Sequence, residues 1–420
     1  MLAFTFPGQG SQRPGMGAPW KDHPSFEIVG DASEITGRDV AALVLEADQP
    51  TLTRTDNAQL ATFVMSLVVL DAAERVGLEP RVCAGHSLGE YTALVAAGVV
   101  DLESGLHLVA ERGTAMQSAA EEAPGTMAAV LGLDDDGVEA ACLRAEGDVW
   151  VANYNAPGQV VIAGTAEAIA EAGALAKEMG ARKVLPIPVG GAFHTPLMSA
   201  ARDRLRKALG DVAFRPPEPV VVANVDARPH PAAADWPRLL SAQLCSPVRW
   251  RQTVETILAD GAQTIVELGP GGVLTGLARR MLPSAETIAM SVATPDDLQR
   301  LIEVMAGDSP LLQAISEQRT GERFHVDERL VLAPTAGLFE PAPSLAGLVP
   351  GPGERVPVAI GVGDLVGTVG TTEVRSAFAG SVEGILVLPG ERVSSGQPVA
   401  WLRAGDERSA GSMPAGEGAR

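Results

Sequence analysis

Cysteine is almost missing: Cys83, Cys142 and Cys245 are the only three in 420 residues, far apart and without paired spacing. That excludes a disulfide-stapled secreted scaffold and offers no zinc-binding pattern, so no metal is expected and a reducing, cytoplasmic setting is the default. Basic residues are outnumbered, 32 Lys and Arg against 52 Asp and Glu, for a net charge of −20. Such a balance argues against general nucleic-acid binding, which wants a basic face. No apolar run approaches the length of a membrane span, so no membrane partner is expected. The opening MLAFTFPGQGSQ lacks a basic n-region and breaks at Pro7, reading as a first strand rather than a signal peptide. Lysine disappears altogether after Lys207. What remains is a chain of two or three domains, 46% hydrophobic, able to bury a large core.

Residues 1 to about 120 alternate short apolar runs with amphipathic stretches, the rhythm of an α/β layer with parallel strands. Near residue 125 the rhythm changes. TMAAVLGL, DDDGVEAACLRAEG, DVWVANYN, QVVIAGT, AEAIAEAGALAKEMG and ARKVLPIPV read as β-α-β-β-α-β, with Asn155 to Gly158 as the turn of the central pair. This is a ferredoxin-like unit at 125–190 inserted in a larger domain, which resumes at GGAFHTPLM and runs to about 306. The Asp134–Asp136 run reads as charge at a helix start rather than a metal cluster. GPGGVLTG follows a strand but lacks the Lys-Ser/Thr of a phosphate-binding P-loop, so it reads as a tight strand-to-helix turn beside the active cleft.

Residues 307–330 read as a linker. Beyond it PTAGLFE (334–340) echoes AFAGSVE (377–383), and PGERV occurs at 352–356 and 389–393. Two turn-rich β halves without a convincing helix suggest a small all-β domain over 331–404 with approximate two-fold symmetry. The tail, 405–420, is poor in apolar residues and is expected to be disordered.

In EPRVCAGHSLGEY, a short apolar strand is followed by G-x-S-x-G and then by a helical pattern. Strand, sharp turn, helix with Ser87 at the apex is the context of a nucleophile elbow; an ordinary glycine-rich turn is the plainer reading of the pentapeptide alone. A serine hydroxyl needs a base within hydrogen-bond reach. His86 is adjacent to Ser87 and its side chain should diverge, His107 lies in a helical stretch, and His23, His230 and His325 sit in loop or linker contexts. His194 follows a strand and two glycines, where an α/β enzyme places catalytic groups, and is the candidate base.

FPGQGSQ, GHSLGEY, ERGTAMQ, GAFHTPLM, QLCSPVRW and ELGPGGVLTGL stand in the order and spacing of the malonyl-CoA:acyl carrier protein transacylases. Residues 1 to about 306 resemble that family, with the ferredoxin-like insertion in its expected place. The resemblance implies an α/β-hydrolase-like core with a parallel sheet, Ser87 as nucleophile and His194 as its base. It implies that the Gln243 carbonyl orients the histidine, and that the Gln9 and Leu88 backbone N–H groups form the oxyanion hole. It matches Arg112 to the arginine that grips the malonyl carboxylate, where a helix-surface ion pair would be the bland alternative. Phe193 resembles the malonyl-selecting members, its ring crowding branched extender units. The implied substrates are malonyl-CoA and an acyl carrier protein, in fatty acid or polyketide synthesis, with no cofactor. Because such carriers are acidic, Arg202, Arg204, Arg206 and Lys207, with Arg279 and Arg280, are candidates for a local basic docking patch. Transfer of another extender unit, a thioesterase or esterase on the same elbow, and a non-catalytic docking scaffold are the competing readings.

The β module resembles, more loosely, a biotinyl/lipoyl-like domain of barrel-sandwich type. Docking to a synthase complex, dimerisation and a vestigial carrier are all open to it. Both prosthetic groups are joined to a lysine at a hairpin between two β halves, and here that hairpin falls in GTVGTTEV (367–374), with Val369 or Gly370 at the lysine position. The protein taken from its native cells should therefore escape avidin capture. Its C-terminal peptides should show no mass increment matching biotin or lipoate; either signal would refute this.

Overall fold

In the computed structural model the described residues are 1–282, 287–305, 328–349, 357–361, 363–376, 380–393 and 397–404, and they form two compact units, up to 305 and from 328. His325, the first PGERV, the tail 405–420 and most of the expected linker lie outside the described residues. The strands of the first unit are, in chain order, β1 (Leu2–Phe6), β2 (Val82–Gly85), β3 (Thr126–Leu131), β4 (Val149–Ala156), β5 (Gln159–Gly164), β6 (Lys183–Ile187), β7 (Val220–Val222), β8 (Thr264–Leu268) and β9 (Ile288–Val292).

Every residue of β1 is buried, as suits a strand covered on both faces. It is the middle of a parallel sheet ordered β7-β2-β1-β8-β9. The helix Thr55–Arg75 is buried nearly all round, and the helix Leu102–Glu122 packs against it. Three adjacent strands, β2, β1 and β8, run directly into the loops HSLG, PGQG and GPGG. In open α/β sheets ligands bind outside the carboxyl ends of the strands, so this loop cluster is where a site belongs.

The inserted unit is an antiparallel sheet ordered β4-β5-β3-β6, the ferredoxin-like arrangement expected from its pattern. Alternation along its strands divides two cores. Met127, Val161 and Ala163 pack into the main core, while Ala128, Val130, Val160 and Ile162 pack under the helices Asp135–Arg144 and Ala166–Glu178. The β4–β5 turn is shorter than expected: Ala156 still pairs with Gln159, leaving Pro157–Gly158 as the turn. Asp134 caps its helix by accepting from the Gly137 N–H at 2.9 Å, and Asp135 pairs with Arg251 at 2.8 Å. Both roles are structural.

The second unit contains β10 (Glu328–Leu332), β11 (Gly337–Pro341), β12 (Val358–Ile360), β13 (Leu365–Val369), β14 (Thr372–Arg375), β15 (Gly380–Ile385), β16 (Glu391–Val393) and β17 (Pro398–Ala404). The expected linker end at 330 is corrected, since β10 already starts at Glu328 and pairs with β17. Two antiparallel sheets, β10-β17-β15-β12 and β14-β13-β11-β16, share one core that includes Phe339, Val366, Val382 and Leu402. The repeated strands, β11 and β15, take interior positions in different sheets. The strand after the second PGERV Pro-Gly, β16, pairs with β11, and β12, which follows the first PGERV, pairs with β15. A 3-10 turn at Pro343–Leu348 is the helical element that sequence pattern missed. Gly370, at φ 59°, and Thr371 form a two-residue hairpin turn between β13 and β14, with glycine where a II′ turn needs it.

Steric limits at the loop cluster are severe. A Cβ on Gly89 would stand 2.0 Å from the Phe6 carbonyl oxygen, whereas one on Gly276, in the helix Val273–Ala278, meets nothing within 4 Å. Gly89→Ala should thus lower unfolding stability by about 2 kcal/mol or more, while Gly276→Ala should be neutral or stabilising by about 0.5–1 kcal/mol. Urea denaturation of both variants checks the contrast.

Candidate active site

Ser87 sits between β2 and the helix Gly89–Ala96 with φ 54°, a left-handed conformation unusual for any residue but glycine. The two flanking glycines are required by contact as well as by turning. A Cβ on Gly85 would come 1.8 Å from the Gly89 carbonyl carbon. Strain held by close packing in this way is the signature of a functional turn. The elbow expected from G-x-S-x-G is present.

His194, which also adopts positive φ at 62°, places Nε2 2.7 Å from Ser87 Oγ. Its Nδ1 lies 2.9 Å from the Gln243 carbonyl oxygen. A carbonyl can only accept, so Nδ1 carries the proton and Nε2 presents a lone pair to the serine hydroxyl. Burial, and then the Arg112 charge, push the His194 pKa down to about 3, against the Gln243 hydrogen bond that raises it. The imidazole is neutral across the physiological range.

Arg112 projects from the helix Leu102–Glu122 and is only 1% exposed. It donates to Gln59 Oε1 at 2.6 Å, to Gln243 Oε1 at 3.0 Å and to Ser87 Oγ at 3.1 Å, with its guanidinium 5.4 Å from the Tyr91 ring centre. Among the described residues it forms no ion pair, and its Nε has no partner. The helix-surface ion pair is therefore ruled out. A buried cation held by neutral amides beside the nucleophile is suited to a carboxylate from outside the chain.

Glu90, Asn224 and Gln59 escaped sequence reasoning. Asn224 Oδ1 accepts from the Ser87 N–H at 2.7 Å, and its Nδ2 donates to the Gly85 carbonyl at 2.6 Å. Glu90, fully buried, accepts from the Asn224 N–H at 2.7 Å and from Gln243 Nε2. The Gln243 amide also donates to the Ser87 carbonyl at 2.9 Å.

A cleft of about 220 Å³ opens over Ser87 between the main sheet and the inserted unit. Gln9, His86, Phe193 and His194 line it, with Val161 and Ile187 from the inserted unit and Leu274 from the GPGG side. Among the described residues neither the Gln9 nor the Leu88 backbone N–H donates to a protein backbone acceptor. His86 turns away from Ser87 to Asn155 Oδ1 at 2.9 Å, as expected. His107 is an exposed helix residue, His23 caps a short helix, and His230 lies against Asp226 and Asp235. Of the basic candidates, Arg204 is paired with Glu111 and Arg202 with Asp203, while Arg206 and Lys207 stand exposed. Arg279 donates to the Ala289 carbonyl, and Arg280 to the Pro157 carbonyl and to Gln159. Among the described residues no His, Cys, Asp and Glu side chains cluster as a metal site, and no helix is long and apolar enough to cross a membrane.

A serine elbow, a buried imidazole and an unpaired arginine on this sheet define an acyl-transfer enzyme, and residues 3–301 match the model of the acyl transferase domain. The chain belongs to that family. It is similar to the malonyl CoA-acyl carrier protein transacylase of Bacillus subtilis (strain 168), 38% identical over 309 residues, covering 72% of this chain and 97% of the relative. The crystal structure of an acyl-carrier-protein S-malonyltransferase from Burkholderia pseudomallei 1710b superposes with a TM-score of 0.69 at 40% identity, covering 72% of this chain and 99% of that one. A malonyl-transacylase solved in complex with a type II PKS acyl-carrier protein does so with a TM-score of 0.69 at 39% identity, with 72% and 99% covered.

Neutral imidazole at low pH has a kinetic consequence. Acylation by acetyl-CoA, which brings no carboxylate of its own, should keep a level kcat/KM from pH 8 down to pH 5, because a base with its pKa near 3 protonates only below that window. A pH–rate profile with an acid limb near the usual histidine value would contradict this.

Proposed function

We propose that this protein transfers a malonyl group from coenzyme A to the phosphopantetheine thiol of an acyl carrier protein through a malonyl-Ser87 ester. The observation that carries the proposal is the buried Arg112 guanidinium, 3.1 Å from Ser87 Oγ and in direct contact with no carboxylate among the described residues. Uncharged acyl groups leave that cation without a directly bonded anion; a malonyl carboxylate supplies one.

In the first half-reaction His194 Nε2 accepts the Ser87 proton as Oγ bonds to the thioester carbonyl carbon. The negative charge that develops on the carbonyl oxygen is met by the Gln9 and Leu88 N–H groups. The C–S bond then breaks, and His194 returns the proton to the departing coenzyme A sulfur. The second half-reaction reverses these roles: the carrier's thiol gives its proton to His194 and attacks the ester, and Ser87 leaves with the proton restored. The bonds and protons balance with a thioester, a serine and an imidazole, so no cofactor is called for. The Gln243 carbonyl stabilises the imidazolium formed midway, a task given elsewhere to a carboxylate. A thioester is reactive enough for this dyad. Phe193, in the cleft wall, is assigned to crowding substituents on the malonyl C2 carbon.

The acyltransferase domain spans 1–306 with its insertion at 125–190, and the module over 328–404 is assigned to docking on a synthase or to assembly rather than to carrying a prosthetic group. Three cysteines without disulfides fit a reducing cytoplasm. Arg206 and Lys207 are the exposed remnant of the basic patch available to an acidic carrier.

Ser87→Ala should abolish transfer and His194→Ala should slow acylation by roughly two to four orders of magnitude. Arg112→Ala should move the ratio of kcat/KM for malonyl-CoA over acetyl-CoA toward acetyl by about a hundredfold, the scale of a buried charge-assisted pair. Steady-state transfer to a carrier protein with both thioesters checks all three, and an unchanged ratio in Arg112→Ala would remove the clamp from the account.

A further inference from the structure

Among the described residues Glu90 is the one carboxylate wired into the site, and nothing in the transfer chemistry uses it. It lies on the first turn of the helix behind Ser87 with no exposed surface. Its two oxygens accept from the Asn224 N–H and the Gln243 amide, and that same amide accepts from Arg112 through Oε1. One amide therefore separates the Glu90 anion from the Arg112 cation. The groups facing Glu90 are Arg112 from the helix Leu102–Glu122, Asp226 from the turn after β7 and Tyr91 on its own helix.

We propose that Glu90 is a specificity-determining residue: it is the resident counter-charge of Arg112, and arrival of the malonyl carboxylate drives it to take up a proton from solvent. This rests on the reading of Arg112 as the partner of the malonyl carboxylate. Above pH 7 and before malonyl arrives, the Glu90 anion partly offsets the Arg112 charge across the Gln243 amide. Afterwards one cation faces two anions in a buried site, and the weaker acid is the one that yields. A malonyl carboxylate is fixed directly on the guanidinium, whereas Glu90 is buried and has the Asp226 charge working against its ionisation.

The free enzyme is already poised for this exchange. Burial, offset by the Asn224 and Gln243 hydrogen bonds and by Arg112, raises the Glu90 pKa to about 7. A bound malonyl carboxylate raises it further. The sign follows from linkage. Below the free-enzyme pKa Glu90 is protonated in both states and malonyl binding is unhindered; above the bound-state pKa it is ionised in both and repels the ligand. Preference for malonyl over acetyl should hence fall as pH rises through 7 and beyond, by about tenfold for a shift of one pKa unit. The His194 proton is needed equally for both acyl groups and cancels from the ratio.

The test is the malonyl-to-acetyl ratio of kcat/KM between pH 5.5 and 9 in the full chain and in Glu90→Gln. The full chain should lose about tenfold across the range, and Glu90→Gln should be flat near the low-pH plateau. A flat ratio in the full chain, or a slope unchanged by Glu90→Gln, would overturn the inference. A second readout needs no variant: in weakly buffered solution near pH 7.5, acylation by malonyl-CoA should take up a fraction of a proton more per enzyme than acylation by acetyl-CoA, followed with an indicator dye. Equal proton balances would also overturn it. Arg112→Ala separates the two layers: if it retains the malonyl preference, the carboxylate assignment fails, whereas if it loses the preference while the full chain stays flat in pH, Glu90 alone is at fault.

Discussion

Gln243 joins every working part of this site. Its carbonyl accepts from His194, its amide oxygen from Arg112, and its amide nitrogen reaches both the Ser87 carbonyl and Glu90. Two acceptors in front of the amide nitrogen leave one orientation for the group, so its oxygen must face the guanidinium. The site is therefore a single hydrogen-bonded body. Gln243, His194, Arg112 and Glu90 are buried, and the low local dielectric makes each bond stronger and each missing partner more damaging.

The same burial explains why the charged groups survive where they are. Leaving one member of a buried, coupled set without its partner costs about 3–5 kcal/mol. Arg112 is stabilised here by two glutamine oxygens, the Tyr91 ring and the nearby Glu90 charge rather than by a direct ion pair. That arrangement holds the cation without quenching it. A direct salt bridge in its place would occupy the guanidinium and make a poorer carboxylate site. The elbow follows the same logic in steric form. Gly85 and Gly89 let strand and helix come within a distance that any side chain would forbid, and Ser87 is held in its strained conformation as a result.

Local pattern carried much of this. The strand before GHSLG, the helix after it, and the β-α-β-β-α-β order of the insertion each follow from a few consecutive residues. So does the internal symmetry of the C-terminal unit, whose echoed strands occupy matching places in two sheets. Elements without a local signature were the ones missed. Asn224 lies 137 residues from Ser87 in a plain valine-rich stretch, and only the sheet brings it to the elbow. Glu90 is one turn past the nucleophile, where an acidic residue reads as ordinary helix-dipole chemistry; nothing local tells that it is buried. Gln59 stands in an apolar helix and shows its purpose only once the helix bearing Arg112 packs against it. The early start of β10 was invisible because ERLVL carries its partner, β17, some seventy residues away.

The central claim is that Ser87 and Arg112 act on one acyl group, the serine holding its carbonyl and the arginine its carboxylate. The most direct measurement is a crystal structure of the malonyl-enzyme, formed by soaking with malonyl-CoA in the absence of carrier protein. The account predicts an ester on Ser87 Oγ with both carboxylate oxygens within hydrogen-bond distance of the Arg112 guanidinium. A malonyl ester whose carboxylate points out of the cleft, leaving Arg112 bonded to Gln59 and Gln243 alone, would contradict it.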